Sequence, residues 1–410
     1  MVDTRHAPRR VRPSLAPLAT RGFRYLVAAE AVSEFGNAFT LVALPWLVYE
    51  LGGGAGQLGL VVAAFGVGRL ATTPLGGLCT DRFGAWRVML VSDVGRALLT
   101  AALAVVAGTG TGSVVVVGAL AAGVGLFAGV FQPAAWAITP SLLPAEQLST
   151  GMSLTSTVAF AAGLAGPGVA GLLVAAADPA AGLAVDAATF AVSSACLVAV
   201  GRELRGPAPG GDRPAEASGG FFALLRASGL LRDVLLVTVV ANLTVGGLLR
   251  VCLPALAEED LAAGVVGLGG LLAAFTAGCL AGGLVAAGAS GVRRRGAAAM
   301  ASGLVMAAGV LAVPFVGLWG AVAALFVAGA ASTVTNVFVV TVVQLGTPAA
   351  LLGRVMAAIL FCGIGLFPVS VALTGFVVES FGVTVVLVTT TGLLAAAFLF
   401  GLSRREITSR

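Results

Sequence analysis

The chain of 410 residues is 59% hydrophobic and only 10% charged, with a net charge of +5. A soluble protein needs more polar surface than this composition supplies, so the numbers indicate a protein that lies largely in lipid. The positive charge would suggest nucleic acid binding in a soluble chain, but here it comes from arginines in short gaps between apolar segments. Arginine in such gaps reports membrane orientation, and we expect no nucleic acid partner.

The predicted elements are about twelve long apolar segments. Each should be a helix, because a hydrocarbon core about 30 Å thick takes about 20 residues of helix to cross and backbone amides cannot stay unpaired in lipid. In chain order the predicted spans are 24–50, 58–79, 88–107, 113–137, 150–176, 181–200, 233–256, 261–289, 297–317, 320–343, 355–379 and 383–402. The predicted fold class is therefore an all-α integral membrane protein with 12 transmembrane helices.

The positions of the arginines predict the orientation of these spans. Of the 23 arginines, 20 lie in the two tails or in every second gap, and the remaining gaps carry acidic residues and no arginine. The positive-inside rule then places both termini in the cytoplasm. The absence of lysine and the abundance of glycine and alanine suggest a GC-rich bacterial source, so we expect a bacterial inner membrane protein. The tail 1–21 has no apolar core and is not expected to be a cleavable signal peptide.

A low-complexity stretch divides the chain into two halves. Gly206–Gly220 reads GPAPGGDRPAEASGG and is typical of a flexible linker. The predicted domains are therefore an N-terminal cytoplasmic tail 1–21, a six-helix bundle 22–200, a cytoplasmic linker 201–230, a second six-helix bundle 231–403 and a tail 404–410.

The two halves also resemble each other in sequence. Pro144-Ala145 recurs as Pro348-Ala349, Gly76-Gly77 as Gly282-Gly283 and Asn37 as Asn242, all at offsets of about 205 residues. Two parallel six-helix bundles related by a pseudo-twofold axis form an alternating-access architecture. This arrangement predicts a substrate site at the midplane between the halves.

The gap between spans two and three carries a recognisable pattern. Gly77-x-x-x-Asp81-Arg82-x-Gly84-x-x-Arg87 resembles the loop signature of the major facilitator superfamily. In this signature we expect Gly77 to permit close helix packing and Gly84 a tight turn, while Arg82 and Arg87 lie at the anionic lipid surface. Asp81 is expected just beyond a helix end, where the resemblance makes the N-terminus of span eleven its partner.

Further motifs narrow the resemblance, which covers essentially all of 22–403. Phe131-x-Pro133-Ala134, Gly166-Pro167, Asp186-Ala-Ala-Thr-Phe190 and Gly353-Arg354-Val355 are similar to enterobactin-exporter-like and macrolide-efflux-like members of that superfamily. Span five also carries Gly163, Gly166, Pro167, Gly168 and Gly171, which permit close packing and a kink. They resemble the Gly-Pro motif of the superfamily's antiporters, which favours export.

Charged residues inside the spans are the main candidates for mechanism, because burying each costs at least about 2.5 kcal/mol on insertion scales. Glu30 and Glu34 are four residues apart on span one and share a helix face. Arg69 on span two lies at a similar depth to Glu34, so the two could pair. Two interpretations stay open, one in which Glu34 carries the coupling proton, with Glu30 able to share that role, and one in which Glu34 and Arg69 form a static packing pair.

Other polar residues are predicted to build the charge network, the gate and the cavity. For Asp93 and Arg96 on span three we favour a structural charge network with Asp81. Asp186 and Arg250 lie about 12 Å from the outer face at roughly 1.5 Å per residue, where a pair could brace the outer gate or hold an anionic substrate group. For Asp186 the family resemblance favours the alternative of a structural position. By family analogy the cavity is lined by Asn37, Asn242 and Asn336. Its apolar walls are predicted to include Trp46, Phe131, Trp136 and Phe338.

No enzyme or metal site is indicated. The five cysteines form no Cys-x-x-Cys pair, and a chain without lysine has no Walker-type ATP loop. Gly288-Ala-Ser290-Gly291 matches the nucleophile pattern of rhomboid-like intramembrane proteases, but that serine needs a histidine at membrane depth and the one histidine is His6 in the tail. We expect no enzyme activity, no cofactor and no metal.

These features together predict a proton-coupled antiporter that exports amphipathic small molecules such as drugs, macrolides or siderophores. Its expected partners are the small-molecule substrate, protons and the lipid bilayer, and we expect a monomer. An importer or uniporter on the same fold stays as an alternative, since sequence separates these directions poorly. A sensor or scaffold without flux is a further alternative, for which the short loops offer no recognition domain.

Overall fold

The computed structural model describes residues 15–204, 229–289, 292, 294–347 and 349–408, and the elements in these ranges are all helical. A 3-10 turn, Ala16–Ala19, precedes the first long helix. The long helices of the first half are α1 (Arg21–Glu50), α2 (Ala55–Phe83), α3 (Ala85–Thr109), α4 (Val114–Leu142), α5 (Ala145–Ala176) and α6 (Pro179–Glu203). Those of the second half are α7 (229–260), α8 (Gly264–Gly288), α9 (Arg295–Ala312), α10 (Gly317–Gly346), α11 (Ala349–Phe381) and α12 (Val383–Ser403), followed by the short helix α13 (Arg405–Thr408).

The helices match the twelve predicted spans. Eleven of them are long and apolar enough to cross a membrane, and α11 supplies the twelfth with the apolar stretch Gly365–Phe381. The predicted all-α membrane fold is confirmed. Most helices are longer than predicted, for example α2, which runs to residue 83 rather than 79. The apolar pattern marks only the part of a helix that lies in hydrocarbon, whereas the helix itself continues into the headgroup region.

Helix α7 departs from regular α geometry in its second half. It is α-helical over Gly229–Gly247, then π-helical over Leu248–Cys252 and Leu256–Asp260, with one α-helical turn, Leu253–Ala255, between them. Pro254 has no N–H to donate to the carbonyl of Arg250, which an α-helix would require. The wider π turns on either side accommodate this missing bond.

The two halves have the same internal packing. In the first half α1 packs against α5 and α6, α3 packs against α4 and α6, and α2 packs against α4. In the second half α7 packs against α11 and α12, α9 against α10 and α12, and α8 against α10. Each contact of the first half is thus repeated six helices later, which is the pseudo-symmetry that the sequence repeat predicts. The predicted linker Gly206–Gly220, His6 and most of the N-terminal tail lie outside the described residues.

The halves meet where α2 crosses α11 and where α5 crosses α8. At the first crossing a Cβ on Gly59 would lie 2.9 Å from the Cα of Gly375. At the second, a Cβ on Gly171 would lie 3.2 Å from the Cα of Gly269. Only hydrogen fits at these positions, so the two halves are in backbone contact at both crossings.

Both crossings lie at the same end of the molecule. We call the end that carries Arg21, Arg82, Arg202 and Arg404 the Arg-rich end, since the chain places all four where α1 begins or α2, α6 and α12 end. The four glycines lie near the opposite helix ends, which we call the closed end. The backbone contacts that the described glycines make between the halves are therefore at the closed end.

Candidate functional site

A cavity of about 310 Å³, here called the central cavity, lies among α1, α2, α3, α4 and α6. Among the described residues that line it, only Arg250 comes from the second half. Its charged lining residues are Glu34, Arg69, Arg96, Asp186 and Arg250. Aromatic side chains of Phe65, Phe131 and Phe190 supply apolar wall. The cavity thus combines several charges with an apolar surface inside one bundle.

Arg96 is held by an ion pair and two aromatic rings, while its buried Nε has no hydrogen-bond partner among the described residues. Its guanidinium forms an ion pair with Asp93 and lies 4.4 Å from the ring centroids of both Phe131 and Phe190. Ser193 of α6 donates a hydrogen bond of 2.5 Å to the other oxygen of Asp93. Ion pairing and cation–π contact together offset the burial of the guanidinium. This cluster joins α3, α4 and α6, and is here called the Arg96 cluster.

Asp81 is not part of the Arg96 cluster, contrary to the predicted network. Helix α2 continues to Phe83, so Asp81 lies within its last turn rather than beyond it, and its side chain is exposed. Gly84 follows with φ of +84° and makes the expected turn into α3. Arg82 and Arg87 are exposed as well. Helix α11 begins at Ala349, but its first side chains, including that of Arg354, are not described, so the contact of Asp81 with this helix N-terminus stays a prediction.

Asp186 is buried and held by hydroxyl groups. Thr40 of α1 donates a hydrogen bond to one carboxylate oxygen. The hydroxyl of Thr189 donates to the backbone carbonyl of Asp186 at 2.7 Å and lies 3.4 Å from the other carboxylate oxygen. A Cβ on Gly36 would lie 1.8 Å from the hydroxyl of Thr189, so only glycine lets α1 approach α6 this closely. Asp186 therefore ties α6 to α1. The predicted gate pair with Arg250 is not among the ion pairs of the described residues.

Glu34 and Arg69 line the same cavity from α1 and α2, at the common level that their spacing predicts. The carboxylate of Glu34 is exposed to the cavity and the side chain of Arg69 is half-buried. The two side chains interact electrostatically, yet within the described ranges neither takes part in an ion pair within 4.0 Å. The predicted pair is therefore open in this conformation. Depth along two helices does not fix how the side chains are turned around them.

A second, smaller cavity adjoins the central one. It has a volume of about 160 Å³, lies between α1, α4 and α5, and is lined by both Glu30 and Glu34. We call it the acidic chamber, because its described lining residues include two carboxylates and no arginine. Glu34, Phe131 and Gln132 line both cavities and so mark the passage between them. Trp136, a predicted wall residue, faces this chamber rather than the central cavity.

Arg250 enters the central cavity from the π-helical turn of α7. Its guanidinium lies 5.7 Å from the ring centroid of Phe367 on α11. It interacts electrostatically with Arg69 and Glu34 on the facing half. π turns inside helices are frequent at functional sites. Of this arrangement only Pro254 is visible in the sequence.

Of the three asparagines predicted to line the cavity, one does so and two lie elsewhere. Asn37 lines the central cavity. The amide of Asn242 donates to the carbonyl of Thr238 at 2.9 Å within its own helix, and Asn336 is exposed outside the described cavities. Gln132 and Thr40 line the cavity and were not predicted from the sequence. Gln132 directly follows the motif residue Phe131, which was the one available signal.

Two of the predicted wall residues lie away from the central cavity, and the glycines of the α5 motif differ in what they contact. Trp46 stacks edge-on against Tyr49, and Phe338 is buried in the second half, both away from the central cavity. On α5, a Cβ at Gly166 would lie 2.4 Å from Ala38 of α1, and Gly171 packs on α8. Gly163 has open space instead, as does Gly168. Pro167 lies inside α5, which continues through it to residue 176.

In both copies of the repeated Gly-Gly pair, the first glycine makes the close contact with a neighbouring helix. A Cβ on Gly77 would meet nothing within 4 Å, whereas one on Gly76 would lie 2.9 Å from Pro133 of α4. The close packing expected of Gly77 therefore belongs to Gly76. In the second half Gly282 packs on Ala330 of α10 in the same way, and Gly283 has open space to 4.0 Å.

The closed end has a contact that sequence reasoning missed. A carboxylate oxygen of Glu379 on α11 lies 1.7 Å from where a Cβ of Gly56 would be, and another lies 3.4 Å from that position on Gly54. The carboxylate thus rests on the N-terminus of α2, whose partial positive charge favours it. No sequence motif predicts this contact.

Comparison with known proteins agrees with this architecture. A family model described as Major Facilitator Superfamily matches residues 26–366. The multidrug efflux pump Tap of Mycobacterium tuberculosis (strain ATCC 25618 / H37Rv) is 29% identical over 218 residues, 51% of this chain and 51% of that protein. The chain thus spans about half the length of the curated relatives it matches.

Two solved structures show the same fold. The nucleoside transporter NupG has a TM-score of 0.73 at 13% identity, covering 93% of this chain and 99% of its own. A bacterial homologue of the human lysosomal transporter Spinster, in an inward-facing and occupied conformation, has a TM-score of 0.74 at 13% identity, covering 93% and 95%. With the family model spanning most of the sequence, the chain belongs to the major facilitator superfamily of membrane transporters.

Proposed function

We propose that this protein is a proton-coupled exporter that exchanges amphipathic small molecules for protons by alternating access. The observation that carries the proposal is an exposed carboxylate, Glu34, in a cavity of the first bundle that Arg250 of the second half reaches, with the described glycine contacts between the halves at the closed end. The similarity to part of a multidrug efflux pump supports export as the direction. The apolar and aromatic cavity wall supports an amphipathic cargo.

The proposed location is the bacterial inner membrane with the Arg-rich end in the cytoplasm. The closed end then faces outward, so the proposed entry for substrate in this conformation is the Arg-rich, cytoplasmic end. An exporter loads its cargo in this state. Rocking of the two bundles about the central cavity would then open the other end.

Glu34 is proposed to bind either a proton or the substrate. Antiport requires that the two ligands exclude each other, because a transporter that carried both together would be a symporter. In the proposed cycle, substrate binds in the inward-facing state as Glu34 releases its proton to the cytoplasm. After rocking, a proton from outside binds Glu34 and displaces the substrate. The Arg96 cluster and the hydroxyl-bound Asp186 keep the first bundle rigid while it moves.

Accumulation in cells tests this function. A panel of fluorescent dyes and antibiotics is measured in an efflux-deficient bacterium that expresses wild type, Glu34→Gln or Glu50→Gln. Glu50→Gln is the matched control, since Glu50 is the exposed last residue of the same helix α1. We expect lower accumulation with wild type and Glu50→Gln but not with Glu34→Gln, and no lowering after a protonophore. Equal accumulation with Glu34→Gln and wild type, at equal membrane levels, would remove Glu34 from the mechanism.

A further inference from the structure

The charges around the two cavities are separated by sign. In the acidic chamber Glu30 and Glu34 lie on one face of α1, and the described lining adds no cation to them. In the central cavity Arg69 and Arg250 approach from opposite halves. Glu34 lies where the two cavities meet, because it lines both of them. A ligand at this passage therefore meets carboxylates on one side and guanidinium groups on the other.

Arg69 and Arg250 have no carboxylate partner in the ion pairs of the described chain. The other acid that lines the central cavity, Asp186, already accepts a hydrogen bond from Thr40, and Asp93, which does not line it, pairs with Arg96. The two arginines also act on each other as like charges. An anionic group between them would remove this repulsion and would accept charge-assisted hydrogen bonds from both halves at once.

The acidic chamber has the opposite character. Two carboxylates face it, and the rings of Phe131 and Trp136 line it beside them. An ammonium group is attracted both to carboxylates and to the faces of aromatic rings. Its volume of about 160 Å³ holds a charged headgroup but not a large aromatic body. The apolar body of a ligand would have to lie in the larger central cavity.

We propose that the preferred substrates are zwitterionic amphipaths that carry an ammonium and a carboxylate group at the same end. The ammonium binds Glu34 and Glu30 at the mouth of the acidic chamber, and the carboxylate binds Arg69 and Arg250. This inference rests on the proposed function and names its substrate class. It is compatible with antiport, because the ammonium competes with the proton for Glu34 while the carboxylate joins the two halves.

Three dansyl probes on the same five-carbon chain test the charge requirement. Nε-dansyl-lysine is the zwitterion, dansylcadaverine lacks only the carboxylate, and dansyl-6-aminohexanoate lacks only the amine. Their fluorescence is titrated with the purified full-length protein in detergent at neutral pH. The variants are Arg250→Gln, Arg250→Lys and Glu34→Gln, with Arg87→Gln as the control because Arg87 is exposed at the Arg-rich end. Gel filtration shows whether each variant is folded.

We expect wild type and Arg87→Gln to bind the zwitterion at least about tenfold more tightly than either singly charged probe, as the loss of a charge-assisted contact implies. Arg250→Gln should bind dansyl-lysine and dansylcadaverine equally, and Arg250→Lys should restore part of the difference. Glu34→Gln should abolish the preference for the zwitterion over the carboxylate probe. Equal binding of the three probes by wild type, or no binding of any, would overturn the substrate class.

This titration needs no proton gradient, so it separates the two proposals. A zwitterion preference in detergent without proton-driven efflux in cells would leave the substrate class standing and remove the antiport function. Proton-driven efflux of a singly charged dye, with no zwitterion preference in the titration, would leave the antiport function standing and remove the zwitterionic substrate class.

Discussion

The two halves of the molecule share their helix packing but not their chemistry. In the first half, charged residues within the spans are drawn together, in the Arg96 cluster, around Asp186 and along the face of Glu30 and Glu34. The second half contributes one described residue, Arg250, to the central cavity. The repeat therefore builds the same helix scaffold twice. Among the described residues, however, the charged groups that line the two cavities all belong to the first half, except Arg250. We infer that the second bundle acts mainly as the moving wall that closes over them.

The largest expected effect comes from removing a buried arginine in the first half. Arg96→Leu leaves Asp93 buried without its partner, which typically costs about 3–5 kcal/mol, and removes two cation–π contacts. The matched change in the second half is Arg404→Leu. Arg404 pairs with Asp233 at 3.4 Å and lies 4.4 Å from the Phe400 ring. The side chain of Asp233 is only 11% exposed, but that of Arg404 is 48% exposed, so water can take its place beside the carboxylate and the cost should be smaller than for Arg96→Leu.

Thermal unfolding of the two purified variants measures this difference. A much lower melting temperature for Arg96→Leu than for Arg404→Leu supports the unequal roles of the halves. Should the two variants melt together, the Arg96 cluster would not be the structural centre of the first bundle.

The contact between the halves gives the next prediction. Gly59→Val would place side-chain atoms against the carbonyl of Val371, 2.7 Å from where its Cβ begins, and would force α2 away from α11. Overpacking of this kind typically costs about 1–3 kcal/mol. We expect the closed end to open, seen as a longer distance between spin labels at Glu50 and Phe381, both of which are exposed. Gly77→Val on the same helix should leave that distance unchanged, because Gly77 faces open space.

The last predictions, which include the smallest effects, should have the same sign in both halves. Gly76→Ala and Gly282→Ala place a methyl group against α4 and α10, so each should lower stability by about 1–3 kcal/mol. Gly77→Ala and Gly283→Ala meet open space and should raise stability by roughly 0.5–1 kcal/mol, the usual gain from alanine inside a helix. Melting temperatures of the four variants check the pattern. A different order in the two halves would mean that the repeat does not extend to helix packing.

The sequence could predict the spans, the halves and the turn at Gly84, because each follows from local hydropathy or a single backbone requirement. Rotation of helices about their axes is set by packing between distant segments, so the open Glu34–Arg69 pair and the choice of Gly76 over Gly77 could not be predicted. Asp81 was placed beyond a helix because the apolar pattern ends before the helix does. The π turn at Arg250 arises from Pro254 together with tertiary packing, and of these two causes only the proline can be recognised in the sequence.

The central claim is that Glu34 of the first half couples proton movement to export. The most direct measurement is substrate flux in proteoliposomes containing wild type or Glu34→Gln, once with a proton gradient and once with substrate on both sides and no gradient. We expect Glu34→Gln to lose gradient-driven accumulation but to keep exchange of substrate across the membrane. Accumulation by Glu34→Gln equal to that of wild type would contradict the central claim.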